Sequence, residues 1–495
     1  MLANASTPSR YVEVERKFDV GESTSVPSFD GVAEIVRVEK LPAQELDAVY
    51  YDTAEHDLAS KRITLRRRSG GEDAGWHLKL PAGPDARTEV RAPLDGENVP
   101  PELLDVVLAI VRDRPLSPVA RIATTREVRL LHGADGAALA EFCDDKVTAS
   151  RTDTSDANPA EQRWREWELE LTAPDANAEL MDHLSNRLLG AGATPAGHGS
   201  KLARVIGTMQ SEPQVRPSDP VRQAVAELVD DLLVWDRAVR ADADDAVHQM
   251  RVTTRKIRSL LQASPESFGF SKDAPVVDEL RELAAVLGAA RDAEVLAERY
   301  RRALDEMPPR LVRGPVRERL VDGAEERYQN GLRRTLAALR SERYFRLLDA
   351  LDAIVAKPVA LPPDQGPAPG AIEAASKKVR KAAKRARKAA EQDRDSAIHR
   401  IRKRAKRLRY TAAAIGATEV SDQAKAVQSL LGDHQDSVVS RAHLAQQAEE
   451  AYAAGEDTFT YGLLYQQEAD LAARCREQLE PALQKLNEAV SMREC

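Results

Sequence analysis

Charged residues fall at every second position in five separate segments among the first 171 residues, and no other feature limits the fold of that region as tightly. In VEVERKF, Glu13, Glu15 and Lys17 alternate with Val12, Val14 and Phe18, interrupted only by Arg16. The same spacing sets Arg66 and Arg68 against Ile63 and Leu65, His77 and Lys79 against Trp76, Leu78 and Leu80, and Glu89 and Arg91 against Val90 and Ala92. It returns in REWELEL, where Glu166, Glu168 and Glu170 alternate with Trp167, Leu169 and Leu171. Strand side chains point alternately to opposite faces, so each segment presents one charged row and one apolar row. Two folds satisfy this pattern. One is a one-sided antiparallel sheet with a solvated charged face. The other is a closed barrel with the charge inside and an apolar exterior covered by helices such as 101–112 and 175–189. The near absence of Ser, Thr, Asn and Gln from the charged rows favours the second. Such a lumen suits a polyanion with a divalent metal, because guanidinium and ammonium groups hold phosphate oxygens while carboxylates hold a hard cation.

Beyond residue 220 the pattern changes to long helical periodicity, with Ala, Arg and Leu abundant. The polar, proline-bearing MQSEPQVRPSDP places a linker at 209–219, between a domain at 1–208 and a helical domain at 220–490. A second break, AKPVALPPDQGPAPGA (356–371), divides the helical domain into pieces of about 220–355 and 372–490. The pieces repeat each other. His248, Arg251, Arg255, Lys256, Ile257 and Arg258 match His399, Arg402, Lys406, Arg407, Leu408 and Arg409, and LGAARDAEV downstream matches LGDHQDSVV. A duplicated helical unit accounts for both matches.

At about 100° per residue from His248, Arg251, Arg255 and Arg258 fall near 300°, 340° and 280°, a single arc, with Met250, Ile257 and Leu261 opposite. His399, Arg402, Lys406 and Arg409 repeat this geometry over Ile401, Leu408 and Ala412. Cations stacked this way without acids at i±4 repel one another, and a bound polyanion offsets that repulsion. The Lys377–Glu391 run, by contrast, fits a solvated helix face. The net charge of −8 argues against a surface built to coat nucleic acid, and near the second box only Tyr410 offers a ring for base stacking.

No signal peptide and no run long enough to span a membrane is readable, so a cytoplasmic location is expected. Cys143, Cys475 and Cys495 lack disulfide or zinc spacing, which leaves oxygen ligands for any metal.

Glu13-Val-Glu15-Arg-Lys17 resembles the E-x-E-x-K signature of the CYTH family of triphosphate tunnel metalloenzymes. The supporting pieces follow in order: YYDT at 50–53, Arg66 and Arg68, Lys79, Arg87-x-Glu89, Arg126, Asp144 and Asp145, Glu166 to Glu170, and GSK ending in Lys201. The resemblance implies an eight-stranded antiparallel barrel that binds triphosphate in its tunnel and requires Mg2+ or Mn2+. It makes Glu13, Glu15 and Lys17 catalytic, with Glu13 and Glu15 as metal ligands together with Glu168 and with Glu166 or Glu170. Lys17, Arg66, Arg68, Lys79, Arg126 and Lys201 resemble the phosphate-binding cations. Asp144 and Asp145 are further candidate metal ligands by the same resemblance, but they are adjacent, so only one of them can face inward. No Ser, Cys or His with a base partner is evident, which speaks against a covalent intermediate.

The two basic boxes with their L-G-x-x-x-D elements are similar to the CHAD family of α-helical domains. That resemblance implies two pseudo-symmetric four-helix bundles whose basic helices line a pore or groove for inorganic polyphosphate. It carries over to Arg251, Arg255, Arg258, Arg402, Lys403, Lys406, Arg407 and Arg409, and leaves His248 and His399 open between phosphate contact and burial. The class is therefore α+β multidomain, a tunnel barrel followed by an all-α double bundle. The expected activity is hydrolysis of inorganic tripolyphosphate, with polyphosphate held by the helices and an association with polyphosphate granules. Two alternatives stand beside it: a non-catalytic polyphosphate-binding protein, and a CYTH enzyme acting on an organic triphosphate such as thiamine triphosphate or ATP.

Overall fold

Antiparallel pairing carries one sheet through a full circle. In this computed structural model, which describes residues 9–83, 85–153, 160–172, 178–207, 220–263, 265–269, 274–356, 371–414 and 416–492, β1 (Ser9–Val20), β3 (Gln44–Asp52), β4 (Thr64–Ser69), β5 (Gly75–Pro81) and β6 (Ala86–Ala92) belong to that circle, with β7 (Ser117–His132), β8 (Ala138–Arg151) and β9 (Gln162–Leu171). Their order is β1-β6-β5-β4-β3-β7-β8-β9, and β9 pairs back onto β1, so eight strands close a barrel. The first half of β1 pairs with β6 (Glu13 opposite Arg87) and the second half with β9 (Lys17 opposite Glu168). Two short strands, β2 (Arg37–Lys40) and β10 (Thr194–Pro195), add to β7 and β1 outside the circle.

Closure turns the charged rows inward and the apolar rows outward. Phe18, Phe142, Trp167, Leu169 and Leu171 form an exterior core with Leu180, Met181, Leu184 and Leu188 of α3 (Ala178–Gly190), as the alternation and the helical pattern at 175–189 require. Arg16, which breaks the alternation, points out as well and bonds Asp182 and Ser185 of α3. The exterior is not apolar throughout. Arg121, Ala123 and Lys146 on β7 and β8 are exposed, and Arg121 pairs with Asp47 at 2.7 Å, so this stretch of wall is solvated rather than covered. Asp52 ends β3 by accepting from the backbone N–H groups of Thr53, Leu58 and Ala59, which caps α1 (Asp57–Ser60) and explains the Asp of YYDT. Gly70, at φ +80°, makes the β4–β5 turn, and a Cβ there would lie 2.0 Å from the Glu45 carbonyl oxygen.

α2 (Pro101–Val111) and α4 (Lys201–Ile206) complete the barrel region. Helices follow as α5 (Pro220–Arg240), α6 (Ala246–Ala263), α7 (Pro275–Glu306), α8 (Gly323–Leu339), α9 (Glu342–Ala356), α10 (Ala371–Arg387), α11 (Glu391–Ala414), α12 (Thr418–Ala453) and α13 (Phe459–Met492). The linker expected at 209–219 and nearly all of the break at 356–371 lie outside the described residues, as does Cys495. The chain divides into two compact units. One holds the barrel, the helices through α6, the start of α7, the end of α8, and α9; the other holds the rest of α7 and α8 with α10 to α13.

Within the second unit, α12 and α13 each serve two apolar clusters. Val420, Val427 and Leu431 of α12 and Leu483, Leu486 and Val490 of α13 pack with Ile372 and Val379 of α10 and with Ile401 and Leu408 of α11. Leu444 of α12 and Tyr461 and Leu464 of α13 pack with Tyr300 and Leu304 of α7 and with Leu320 and Val321 just before α8. Among the described residues no helix is long and apolar enough to cross a membrane.

Candidate functional site

Directly paired residues of antiparallel strands share a face, so the register identifies the lumen. Glu15 lies opposite Glu170, Glu166 opposite Asp145, Arg126 opposite Asp145, and Tyr50 opposite Arg66. The inward rows thus bring together Glu13, Glu15, Lys17, Arg66, Arg68, Lys79, Arg126, Asp145, Glu166, Glu168 and Glu170, residues separated by up to 157 positions in a chain of 495. Lys201 joins them from the first turn of α4, where Ser200 caps the helix by accepting from the Ala203 N–H.

Cations and carboxylates interleave. The Lys17 Nζ lies 2.8 Å from Glu15 and also bonds Glu168. Lys79 bonds Glu13, and Arg87 donates to Glu15 at 3.1 Å and to the Gly199 carbonyl at 2.6 Å. Arg126 grips Asp145 with two bonds of 2.8 and 2.7 Å and reaches Glu168. Lys201 Nζ stands 2.8, 2.7 and 2.8 Å from Asp145, Glu166 and Glu168. Burial pushes the Glu15 carboxyl up, but Lys17 and Lys79 outweigh it and hold the group at about 2. Burial likewise opposes ionisation of Glu168 and Asp145, yet Lys17, Lys201 and Arg126 hold Glu168, and Arg126 and Lys201 hold Asp145, below the carboxylate range. These three carboxylates are ionised at neutral pH.

Two features depart from this balance. Arg66, Arg68 and Arg126 crowd one another, and burial followed by the Arg66 charge brings Arg68 down to about 10. The Nε atoms of Arg66 and Arg68 are buried without an acceptor. Buried donors are normally satisfied, so these point to an anionic acceptor that enters the lumen. Glu170 shows the opposite imbalance: burial and the nearby Glu13 push its carboxyl up to about 7.

Between the ordinary value of 4.5 and about 7, folded Glu170 keeps a proton that the unfolded chain has lost. Stability of the metal-free protein therefore falls as pH rises through that window, and the loss is complete above it. Glu170→Gln is expected to flatten the decline and to melt above wild type at pH 8, checked by thermal unfolding in chelator at pH 5 and pH 8. Parallel pH profiles for the two proteins would contradict the assignment.

Of the two adjacent aspartates, Asp145 faces inward. Asp144, offered as a metal ligand on sequence grounds, is turned to the outer wall. It pairs with Arg165 at 2.8 and 2.7 Å, and Arg165 lies over the Trp167 ring. Strand alternation makes the two positions exclusive.

The donor set suits a divalent metal. One oxygen each from Asp145, Glu166 and Glu168 can be chosen within 4.8 Å of one another, and carboxylates are the hard donors that Mg2+ and Mn2+ prefer. Glu13 and Glu15 stand on the other side of Lys17, close enough to Glu170 to raise it. Sequence reasoning assigned no role to Glu89, which is fully buried and receives His77 at 2.9 Å and Arg91. Its place in the alternating row was the available signal.

Toward one end the lumen is lined by apolar side chains. Ala48, Tyr50, Ala120, Ile122, Val147, Ala149 and Trp164 line that end, and Leu202 and Val205 of α4 fill it. Gln162 closes the plug by donating to the Val205 carbonyl at 3.3 Å.

On α6, Met250, Ile257 and Leu261 are buried, while His248, Arg251, Arg255 and Arg258 are half-buried on the opposite arc. On α11, Ile401, Leu408 and Ala412 are buried, and His399, Arg402, Lys406 and Arg409 repeat the half-buried arc; Lys403 and Arg407 are exposed beside it. Burial, then Lys403 and Arg402, lower the His399 pKa, which favours its neutral form. Gly432 of the second L-G-x-x-x-D element lies under Arg402, whose guanidinium would be 3.3 Å from an added Cβ. Arg402 and Arg299 are the cations that oppose the burial-raised pKa of Asp436, the Asp of the same element. The motif is thereby explained as a seat for Arg402. On α10, Lys377, Lys378, Arg380, Lys381, Lys384 and Arg385 are exposed, the solvated face expected for that run.

Comparison with known proteins finds a CYTH domain at residues 12–189 and a CHAD domain at residues 223–445. Two uncharacterized proteins of Mycobacterium tuberculosis, from two strains, are each 66% identical over 509 residues, covering 99% of this chain and 99% of the relative. Among solved structures, the CHAD domain of the plant Ricinus communis is 24% identical, covering 53% of this chain and 90% of that one, with a TM-score of 0.42. An adenylyl cyclase candidate from Hippeastrum, described as having a dominant triphosphatase activity, is 18% identical over 41% of this chain and 97% of that one, with a TM-score of 0.25.

Proposed function

The chain belongs to the proteins in which a CYTH domain precedes a CHAD domain, and on that premise we propose that it hydrolyses inorganic tripolyphosphate in the barrel and binds inorganic polyphosphate on its helices. The observation that carries the first half is the crowding of Arg66, Arg68 and Arg126, the Nε donors of Arg66 and Arg68 being buried without acceptors, beside the carboxylate triad of Asp145, Glu166 and Glu168. Phosphate oxygens supply the missing acceptors, and Asp145, Glu166 and Glu168, with Glu13 and Glu15 nearby, would hold the divalent metal. When bound, that metal neutralises phosphate charge and lowers the pKa of water. The protein's own cations orient the chain and stabilise charge on the equatorial and leaving oxygens, while the closed wall limits water to what the reaction uses. The apolar plug of Trp164, Leu202 and Val205 fills one end of the lumen and leaves no room for an adenosine or thiamine ring at that end, which is consistent with an inorganic substrate.

The test is phosphate release from tripolyphosphate, thiamine triphosphate and ATP in parallel, with Mg2+, with Mn2+ and with chelator. Metal-dependent release that is fastest from tripolyphosphate is expected. Binding of tripolyphosphate without turnover under every metal condition would replace this reading with the non-catalytic one.

The second half rests on the half-buried cationic arcs. Arg402→Ala with Arg409→Ala is expected to weaken binding of long polyphosphate and to flatten its salt dependence by roughly two counterions, leaving tripolyphosphate hydrolysis intact. Titration of labelled polyphosphate at several salt concentrations measures this, and an unchanged slope would remove α11 from the site.

A further inference from the structure

Asp145, Glu166 and Glu168 form the tightest carboxylate cluster in the lumen, and a cation already sits among them. Lys201 Nζ is within 2.8 Å of all three. An ammonium at that distance and a Mg2+ ion, which requires oxygens at about 2.0–2.1 Å, compete for the same lone pairs. Cations already occupy this site without any metal: Lys17, Arg126 and Lys201 stand among Asp145, Glu166 and Glu168, Lys17 being shared with Glu15. A divalent cation entering alone would add positive charge to a buried site that already holds three cations, whereas one entering with a polyanion would bring its own compensation. Lys201 is the cation best able to change partners. It extends from the first residue of the short helix α4, whereas Arg126 is fixed by its two-bond grip on Asp145. Arg66 and Arg68 crowd each other, and although Arg68 pairs with Asp73 and Arg66 donates to Tyr50, their buried Nε donors still lack acceptors that phosphate within the same lumen could supply.

We propose that Lys201 keeps the Asp145–Glu166–Glu168 triad closed to divalent metal until a phosphate chain draws its ammonium away, so that this metal site forms only together with the anion. The inference rests on the triphosphate reading above and adds an order of binding to it. Lys201 is a positioning residue here: it acts on the metal through the carboxylates.

The experiment counts Mn2+ bound to the full-length chain by electron paramagnetic resonance in phosphate-free buffer. Lys201→Met is expected to bind Mn2+ at the triad about tenfold or more tightly than wild type, since a site open in under a tenth of molecules loses affinity by that factor. Lys201→Arg should behave as wild type, and Asp145→Asn added to Lys201→Met should abolish the gain. Bis(methylene)triphosphate, which resists hydrolysis, should raise Mn2+ bound to wild type to the Lys201→Met level, measured by dialysis against a protein-free control. Equal Mn2+ affinity in wild type and Lys201→Met without phosphate would overturn the proposal, as would a gain that survives Asp145→Asn. Should Lys201→Met not fold, the wild-type arm decides alone: the same triad occupancy with and without the analogue refutes it. None of these readouts requires turnover, so loss of the triphosphatase reading and loss of this one are separate outcomes.

Discussion

Glu15→Gln is expected to lower metal-dependent phosphate release from tripolyphosphate by about 10²–10³-fold, roughly 3–4 kcal/mol of transition-state stabilisation. The substitution keeps the shape of the side chain and removes its charge. Glu15 is ionised well below neutrality and sits between Lys17 at 2.8 Å and Arg87 at 3.1 Å. Its loss therefore removes a hard oxygen donor and frees Lys17 to settle wholly on Glu168. Folding should survive, because Arg87 keeps its bonds to the Arg62 and Gly199 carbonyls. Steady-state release with Mg2+ or Mn2+, alongside circular dichroism, checks both statements. A variant that keeps more than a tenth of wild-type activity would take Glu15 out of the catalytic set.

Trp167→Ala is expected to destabilise the barrel by about 3–5 kcal/mol. Trp167 alternates with Glu166 and Glu168 and is fully buried on the outer wall, with its ring edge-on to Phe142 at 5.6 Å and under Arg165 at 5.7 Å. Removing it opens a cavity beneath α3 and exposes the Arg165–Asp144 pair to rearrangement. Urea unfolding followed by circular dichroism measures the loss, and Trp167→Phe should recover about half of it by retaining one ring of packing. A loss under about 1 kcal/mol would mean that α3 does not depend on that wall.

The two substitutions act on opposite faces of the barrel wall, Glu15 inward on β1 and Trp167 outward on the neighbouring β9, and the facing of such residues is where sequence reasoning was strongest. A period of two assigns Glu166, Glu168 and Glu170 to one side and Trp167, Leu169 and Leu171 to the other, wherever the strand lies. The same logic identified the inward Glu13, Glu15 and Lys17, and a period of 3.6 identified the basic arcs of α6 and α11 with their buried backs. The choice between Asp144 and Asp145 was not available, because adjacent residues of opposite orientation look alike until the partner strand sets the phase. The polar outer stretch at Arg121 and Lys146 was likewise invisible: whether a wall is covered depends on where a distant helix docks.

Local periodicity, charge type and the duplicated box, all short-range properties, determined which residues share a face, that the charged rows carry both signs, and that a basic helical arc with an apolar back occurs on both α6 and α11. Tertiary structure alone decided that the sheet closes, that Lys201 reaches across to three carboxylates on two strands, and that Leu202 and Val205 stop one end of the lumen. Those outcomes depend on strand order, register and helix docking, which bring together residues separated by most of the domain. No local pattern encodes a distance between such residues, and the chemistry of the lumen consists of those distances.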